Sequence, residues 1–225
     1  MYDERAVSPN WLLKRALNRF VRARLPAIDG VVLDLGCGNK PFGPDIADVA
    51  SHYFGVDWSN TLHGLHCDVV ADLNRELPFA DGVADHVVSF EVLEHLAEPG
   101  TMLREAARVL RSGGGLTLSA PFQWWEHESP WDYQRFTRHG LRYQLERAGF
   151  TDIDIAPTTG FWGMWLLKLN YRLAHLVRGP RWMRGLVRAV LVPAWWINQV
   201  LGDALDRFFP DARESVGYFA TARKP

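Results

Sequence analysis

One stretch near the start of the chain restricts its fold more than any other. Residues 31–35 read Val-Val-Leu-Asp-Leu and run directly into Gly36, Cys37 and Gly38. A short apolar run that ends in glycines is typical of a buried parallel strand and a tight turn, because glycine adopts backbone angles closed to other residues and lets a ligand approach the main chain. We expect a helix over about 41–50 next, with its proline in the first turn. The free N–H groups of the turn would then face a bound small molecule.

A second strand, predicted over 51–57, ends in an acid. Asp57 lies 19 residues after Gly38, close to the offset of about 20 at which an acid binds ribose hydroxyls in dinucleotide sites. The third glycine of the NAD fingerprint, which allows close packing beneath a pyrophosphate, is absent, since residues 39–41 are Asn, Lys and Pro. The pattern therefore predicts a nucleoside ligand without a pyrophosphate and disfavours an NAD-dependent oxidoreductase.

Strand-like and helix-like segments alternate about every 25 residues along most of the chain, which is typical of βαβ units and a parallel sheet. Further strands are predicted over 66–70, 84–90, 116–120, 151–156 and 217–223, and helices over 9–24, 100–110 and 137–148. Ser8 is expected to cap the first of these helices, with Pro9 at its first position. Residues 111–115, Arg-Ser-Gly-Gly-Gly, are expected to form the turn that ends the second.

Four motifs together give the chain a family resemblance. They are LDLGCGNKP over 33–41, Val-Asp at 56–57, Leu-Pro-Phe at 77–79 and VVSFEVLEHL over 87–96. The set resembles the class I S-adenosylmethionine (SAM)-dependent methyltransferases of the small-molecule type, over about residues 31–150 and again at the last strand. The resemblance implies a Rossmann-like α/β sheet of seven strands, mostly parallel with the last strand antiparallel. It also implies SAM as the cofactor and S-adenosylhomocysteine as the product.

The resemblance also suggests which residues contact SAM. An acid before the Leu-Pro-Phe triplet lies beside the adenine amino group in such enzymes, and Asp72 is the best match, with Leu73 offering its backbone N–H. The spacer is longer than usual, so Asp68 remains a competitor, and Asp72 could instead cap a turn. His95 follows a buried strand at its carboxyl end, where it is either a site residue or a structural histidine beneath the site. The predicted SAM contacts are Asp34, Gly36, Cys37, Gly38, Asp57, Trp58, Asp72, Leu73, Phe90, Glu91 and His95.

The segment 121–136 is too polar and too aromatic for a plain linker, and loops at this edge of the sheet supply chemistry. Its pattern His-x-x-Pro-x-Asp-Tyr-x-Arg-Phe-Thr resembles a subset of these enzymes thought to act on glycans or related metabolites. A hydroxyl acceptor must lose a proton during methyl transfer, which suits a histidine. We predict His127 as the base and Asp132 as its orienting partner; the alternative is that His127 only orders the loop.

The same segment supplies the predicted acceptor contacts, which are Trp124, Trp125, Tyr133 and Arg135. The tryptophans 124, 125 and 131 could stack on a sugar or flat ring, or simply cover the SAM pocket. No metal site is predicted, since the two cysteines, Cys37 and Cys67, lack zinc-site spacing.

About 60 residues separate the last two predicted strands, and a gap of that length should hold structure of its own. Between residues 161 and 199 there are six basic residues, no acid and five of the ten tryptophans. Gly179-Pro180 and Pro193 are expected to divide this span into two or three helices. Basic helices rich in tryptophan and too polar to span a bilayer are typical of interfacial membrane segments. The alternative is that the insertion, residues 160–214, forms a cap or a dimer surface.

Composition narrows the functional classes. The net charge of −1 gives no general attraction to nucleic acid, and no apolar run reaches about 18 residues. The N-terminus lacks a secretory signal, so we expect a cytoplasmic protein, peripheral at the inner face of the membrane. The prediction is a single methyltransferase domain over 1–225, monomeric or homodimeric, that methylates a small-molecule, glycan or lipid-linked acceptor at that face. The alternatives are a soluble O- or N-methyltransferase whose insertion is a cap or dimer surface, and a non-catalytic membrane-associated module.

Overall fold

The structure is a computed structural model that describes residues 1–5, 7–60, 64 and 66–225. The chain divides into two compact units, one made of residue 1 with 21–156 and 217–225, and the other of residues 2–20 with 157–216. The strands are β1 Val31–Leu35, β2 His52–Asp57, β3 Val69–Val70, β4 Ala84–Phe90, β5 Leu110–Pro121, β6 Thr151–Pro157 and β7 Gly217–Arg223. The helices are α1 Trp11–Arg24, α2 Gly43–Ala47, α3 Pro99–Val109, α4 Arg138–Arg147, α5 Phe161–Ala174 and α6 Arg181–Phe208.

The first unit contains a seven-stranded sheet in the order β3-β2-β1-β4-β5-β7-β6. β1 pairs in parallel with β2 and β4, β2 with β3, and β4 with β5, whereas β7 runs antiparallel to β5. The predicted α/β fold, with a mostly parallel sheet and a reversed last strand, is confirmed. The strand order changes direction between β1 and β4, and the crevice at the carboxyl ends of two such strands is where open α/β sheets bind ligands.

The core of this unit explains why its central strands read as apolar runs. Leu33 of β1, Val87 of β4 and Leu118 of β5 are each at most 1% exposed, and Met102 of α3 and Leu141 of α4 are completely buried. Parallel strands covered on both faces need apolar side chains at nearly every position. Each such side chain contributes about 1.5–3 kcal/mol by leaving water.

Several predicted boundaries in this unit are wrong. α2 covers only 43–47, and β3 only two residues. β5 begins at Leu110, so the glycines predicted to form a turn lie inside the strand. The reason is close packing: a Cβ on Gly115 would lie 2.6 Å from the ring of His86, its neighbour across β4, so the glycines let the strand continue against a bulky partner. The helix before it ends without them, because Leu110 already has extended backbone angles.

The starts of two helices differ in their capping. Thr137, predicted as the first residue of its helix, instead caps α4 by accepting a hydrogen bond from the Gly140 N–H. Ser8 does not cap α1 with its side chain, because its hydroxyl donates to the side-chain oxygen of Asn10. α1 accordingly begins at Trp11, and Pro9 lies outside the helix.

The second unit is helical. The insertion forms two helices rather than three, since Pro193 lies inside α6 and does not divide it. The buried side chain of Gln199 joins α6 to the first part of α1 by accepting from the Leu12 N–H at 2.8 Å and donating to the Ser8 carbonyl at 3.0 Å. Within the described residues, no helix is both long enough and apolar enough to span a bilayer.

Candidate active site

The glycine turn after β1 requires its glycines. Gly36 has φ +78°, and a Cβ there would lie 2.4 Å from the Val92 side chain; Gly38 has φ +49°. The expectation that this turn offers free N–H groups is wrong at three positions. The N–H groups of Gly36 and Cys37 donate to the Val56 carbonyl at 2.8 and 3.1 Å, and that of Gly38 donates to Asp57 Oδ2 at 2.8 Å. The parallel register of β1 and β2 brings the end of β2 against the turn, which explains these bonds.

Asp57 lies where the sequence placed it, at the carboxyl end of β2. Its second carboxylate oxygen, Oδ1, accepts from the Trp58 N–H at 2.8 Å, so both oxygens hold backbone groups. Asp57 therefore fixes the turn and the predicted Trp58 contact in one arrangement.

Two other residues of the predicted SAM set, one at the end of β1 and one in this turn, are buried. Asp34 accepts a hydrogen bond from the Tyr53 hydroxyl at 2.5 Å, and burial raises its pKa to about 7 against the effect of that bond. Burial, aided by the nearby Asp34, raises the pKa of the Cys37 thiol to about 12. The thiol is therefore neutral, and Cys37 acts as a small buried residue and not as a nucleophile.

The two competing adenine acids differ in their partners. Asp72 accepts from the backbone N–H and side-chain amide of Asn74 at 2.9 and 3.0 Å, which is the turn-capping arrangement considered as its alternative. Asp68 accepts from the Gly55 N–H at 2.7 Å and from Lys40 Nζ at 2.6 Å. Leu73 is buried.

The carboxyl end of β4 carries an unusual backbone. Glu91 has φ +56°, a region that non-glycine residues rarely adopt and that clusters at functional sites. Its Oε1 accepts from the Ser119 hydroxyl at 2.6 Å, and burial raises its pKa. Phe90, directly before it, packs edge-on against Phe42 with ring centroids 4.9 Å apart.

A buried acid between two histidines was missed by sequence reasoning. Glu94 is completely buried, and its Oε1 lies 3.7 Å from His95 Nε2 and 4.0 Å from His127 Nε2. Burial, aided by the nearby Glu91, raises the pKa of Glu94 well above its ordinary value. The signal was present in the Leu-Glu-His triplet, because an acid next to a histidine at the end of a buried strand reaches the ligand crevice.

The acceptor loop, residues 122–136, is built around one ion pair. Arg135 donates to both oxygens of Asp132 at 2.5 and 2.7 Å, and to the carbonyls of Trp124 and Trp125 at 3.2 and 2.7 Å. The Arg135 guanidinium lowers the pKa of Asp132 to about 2, so this carboxylate is ionised. Asp132 Oδ2 also accepts from the His127 N–H at 2.8 Å and lies 3.4 Å from its Nδ1. The structure thus brings the predicted base and its partner together.

His127 is suited to accept a proton. Burial, together with the neighbouring His95, lowers its pKa, so the imidazole is neutral near pH 7. Its ring lies edge-on to that of His95, with centroids 4.9 Å apart.

The predicted SAM contacts and acceptor contacts meet at the loop tryptophans. Trp58 packs edge-on against Trp131 at 5.2 Å, and the Trp131 carbonyl accepts from His95 Nδ1 at 2.7 Å. Trp124 and Trp125 stack on each other at 4.0 Å, and Tyr133 is about half exposed. The acceptor loop therefore contacts two of the predicted SAM residues, Trp58 and His95, through Trp131.

Comparison with known proteins decides the family. Residues 33–118 match the family described as a methyltransferase domain. A probable S-adenosylmethionine-dependent methyltransferase of Mycolicibacterium smegmatis is 31% identical over 186 residues, which cover 76% of this chain and 69% of that protein. This chain belongs to the SAM-dependent methyltransferases. It is therefore an enzyme whose cofactor is SAM.

Two further known proteins resemble this methyltransferase, one in part of its sequence and the other in its fold. A ubiquinone biosynthesis O-methyltransferase of Xanthomonas oryzae is 33% identical over 114 residues, which cover 44% of this chain and 46% of that protein. The crystal structure of the [4+2]-cyclase SpnF superposes with a TM-score of 0.63 at 21% identity, covering all of this chain and 84% of SpnF. The second likeness concerns the fold alone, since one fold hosts many activities.

Proposed function

We propose that this methyltransferase methylates a hydroxyl group of a lipid-linked acceptor, of small-molecule or glycan type, at the cytoplasmic face of a membrane. In the reaction the acceptor oxygen attacks the SAM methyl carbon in line. The new O–C bond forms as the S–C bond breaks, its electron pair stays on sulfur, and S-adenosylhomocysteine leaves. Because the sulfonium already activates the methyl group, the protein mainly aligns donor and acceptor.

The loop supplies the acid–base chemistry in this proposal. Neutral His127 takes the hydroxyl proton on Nε2, while its Nδ1–H is oriented by the Trp125 carbonyl at 3.3 Å and by Asp132. Arg135 keeps Asp132 ionised and holds the backbone of Trp124 and Trp125. A neutral imidazole with a fixed tautomer is what a general base requires near neutral pH.

The proposal that the enzyme binds a membrane rests on the surface of α5 and α6. Many large apolar side chains of these two helices, including four tryptophans, are exposed to solvent. We define the exposed apolar surface as Trp162, Trp165, Leu169, Trp182, Leu186, Val190, Trp196, Ile197, Val200 and Leu201. Trp182, Leu186 and Val190 are 68%, 63% and 72% exposed. Exposure on this scale marks an interaction site.

Charge favours an anionic bilayer as the occupant of this surface. Arg178, Arg181, Arg184 and Arg188 are exposed along the same segment, and residues 161–199 contain no acid. Each such arginine contributes about 1 kcal/mol near an anionic leaflet. Tryptophan and arginine on helices that do not span the bilayer are suited to the interface. The ubiquinone-pathway relative supports the same acceptor class, since that enzyme's name assigns it to the biosynthesis of a lipid-soluble quinone.

Vesicle flotation tests the membrane part. The protein is expected to float with vesicles containing phosphatidylglycerol and to stay at the bottom with phosphatidylcholine alone. The double variant Trp182→Ser, Arg184→Gln should float less, whereas Tyr143→Ser, which changes another exposed aromatic residue, on α4, should not change flotation. A wild-type protein that remains at the bottom with anionic vesicles contradicts membrane docking and favours a soluble enzyme whose insertion is a cap or dimer surface.

Transfer of labelled methyl from SAM into a lysate split into lipid and soluble fractions tests the acceptor class. Label in the lipid fraction supports the proposal, and label only in the soluble fraction contradicts it. SAM binding without transfer to either fraction of lysates from several sources would contradict the proposed acceptor class.

A further inference from the structure

Glu94 has a buried carboxyl group that its neighbours do not hydrogen-bond. Its side chain is 0% exposed, and among the described residues neither of its carboxylate oxygens has a hydrogen-bond partner. An isolated buried charge costs several kcal/mol, so a buried carboxyl group without a partner either stays protonated or is paired with a cation. One oxygen, Oε1, is directed at two ring nitrogens, His95 Nε2 at 3.7 Å and His127 Nε2 at 4.0 Å.

The hydrogen bond made by Nδ1 of each ring shows which nitrogen of that ring carries a proton. His95 Nδ1 lies 2.7 Å from the Trp131 carbonyl, and His127 Nδ1 lies 3.3 Å from the Trp125 carbonyl. A carbonyl oxygen only accepts, so both protons lie on Nδ1. The second nitrogen of each ring, Nε2, is therefore the one that faces Glu94. Three atoms that can bind a metal ion therefore converge, and a cation placed between them would interact favourably with all three.

We propose that Glu94, His95 and His127 bind a divalent transition-metal cation, with Zn²⁺ as the reference ion. The ligand atoms of the three side chains all lie within 4.8 Å of one another. Two imidazoles and one carboxylate form a ligand set that proteins use for zinc and for non-haem iron, and it leaves positions open for a substrate.

The two separations from Glu94 fit such an ion after small side-chain movements. Zinc bonds of about 2.0–2.2 Å place tetrahedral ligand atoms roughly 3.4 Å apart. The observed separations of 3.7 and 4.0 Å from Glu94 Oε1 need to shorten by only a few tenths of an ångström. His95 and His127 are 18% and 26% exposed at the side chain, so an ion can enter from solvent, and the buried Glu94 would supply a negative charge on losing its proton to the bound ion.

The outer hydrogen bonds are those of a metal centre. Metal-bound histidines almost always donate their other N–H to a carbonyl or carboxylate, which fixes the tautomer and the ring. Here both donate to carbonyls of the acceptor loop. Glu128 Oε2, 3.8 Å from His95 Nε2, lies at the rim of the same cluster.

The catalytic consequence rests on the proposed function, although the binding site does not. A bound cation would make an acceptor hydroxyl on an open position release its proton to solvent more readily, because it would stabilise the resulting oxyanion. His127 Nε2 would then be a ligand, so the role of His127 as base in the proposed function applies to the metal-free enzyme.

Direct metal binding tests the inference. Tag-free protein is stripped with a chelator and titrated with Co²⁺, followed by visible d–d absorption, and with Zn²⁺, followed by calorimetry. One ion per chain is expected. Glu94→Gln and His95→Ala should each weaken binding by at least about 100-fold, more than changes outside the ligand shell usually cost. His139→Ala, which removes an exposed histidine of α4, should bind as the wild type does.

SAM binding measured on the same samples separates the possible failures. A wild-type protein that binds SAM but takes up no Co²⁺ or Zn²⁺ overturns the metal site and leaves the proposed function standing. One ion bound with the expected variant pattern supports the site even if no lysate is methylated. Equal binding by wild type and both ligand variants also overturns it. His95→Ala changes a partly exposed residue, so it keeps the test decisive if Glu94→Gln does not fold.

Discussion

Asp57 Oδ2 accepts a hydrogen bond from the Gly38 N–H at 2.8 Å, and this bond joins the end of β2 to the glycine turn after β1. The acid selected from the sequence by its distance to the glycines is thus in direct contact with them. The other oxygen of Asp57 holds the Trp58 N–H. Ribose hydroxyls would therefore meet a carboxylate whose orientation is already fixed by two backbone donors.

We predict that Asp57→Ala lowers SAM affinity by at least tenfold. The substitution removes a charged acceptor for the ribose and releases two backbone groups, and hydrogen bonds to charged groups contribute about 1.5–3 kcal/mol. Isothermal titration with SAM measures the effect. Asp72→Ala is the matched comparison, since Asp72 is the acid predicted for adenine. An unchanged affinity in Asp57→Ala would remove Asp57 from the site.

The sheet could be predicted well from the sequence, because each strand is encoded by a short, continuous pattern of residues. The apolar run Val31–Leu35 and the run Ala84–Phe90 match β1 and β4 as predicted, since strands covered on both faces need continuous apolar sequence. The family motifs lie at the ends of those strands, so they also predict which edge of the sheet binds SAM.

What the sequence could not give depends on contacts between distant residues. Gly115 lies in a strand and not in a turn because it packs against His86, which is 29 positions away on the neighbouring strand. The use of the Gly38 N–H by Asp57 and the position of Glu94 below His127 also arise only when separate strand ends and loops meet. Contacts between residues so far apart in the chain produce no periodic pattern in the sequence.

The Arg135–Asp132 pair gives a second prediction. Arg135→Lys should keep the charge but lose the planar fork that reaches Asp132 and two loop carbonyls at once. We expect methyl transfer to fall by at least tenfold with SAM affinity changed less than threefold. Arg138→Lys, at the exposed start of α4, is the control and should behave as the wild type does. Equal activity of both variants would show that the fork does not order the acceptor loop.

Burial of His86 predicts a pH dependence of stability. Its side chain lies against Thr117 Oγ1 at 2.9 Å, and burial lowers its pKa to about 4, with Asp29 and Arg223 as the nearby charges. Between about pH 6.5 and pH 4 the unfolded chain takes up a proton here that the folded chain does not. The free energy of unfolding should therefore decrease as the pH falls through this window, by up to about 3 kcal/mol from this group.

The variant His86→Gln checks that sign. Glutamine keeps a polar group for Thr117 but does not titrate, so its unfolding free energy should fall less than that of the wild type between pH 7 and pH 4.5. Urea unfolding at several pH values gives the comparison, with His139→Gln as the exposed control. Parallel curves for the wild type and His86→Gln would contradict the assignment.

The crossing of α5 and α6 gives the last prediction, within the helical unit. A Cβ added at Gly202 would lie 3.0 Å from the Gly163 Cα and 3.4 Å from the Trp162 carbonyl oxygen, and backbone atoms cannot move aside as a flexible side chain can. Gly202→Ala should therefore destabilise the protein by about 1–3 kcal/mol despite the better helix propensity of alanine. Gly185 lies in the same helix with open space at its Cβ position, so Gly185→Ala should be neutral or stabilise by up to about 1 kcal/mol. Thermal unfolding of the two variants separates packing from propensity, and equal stabilisation by both would show that the helices do not cross this closely.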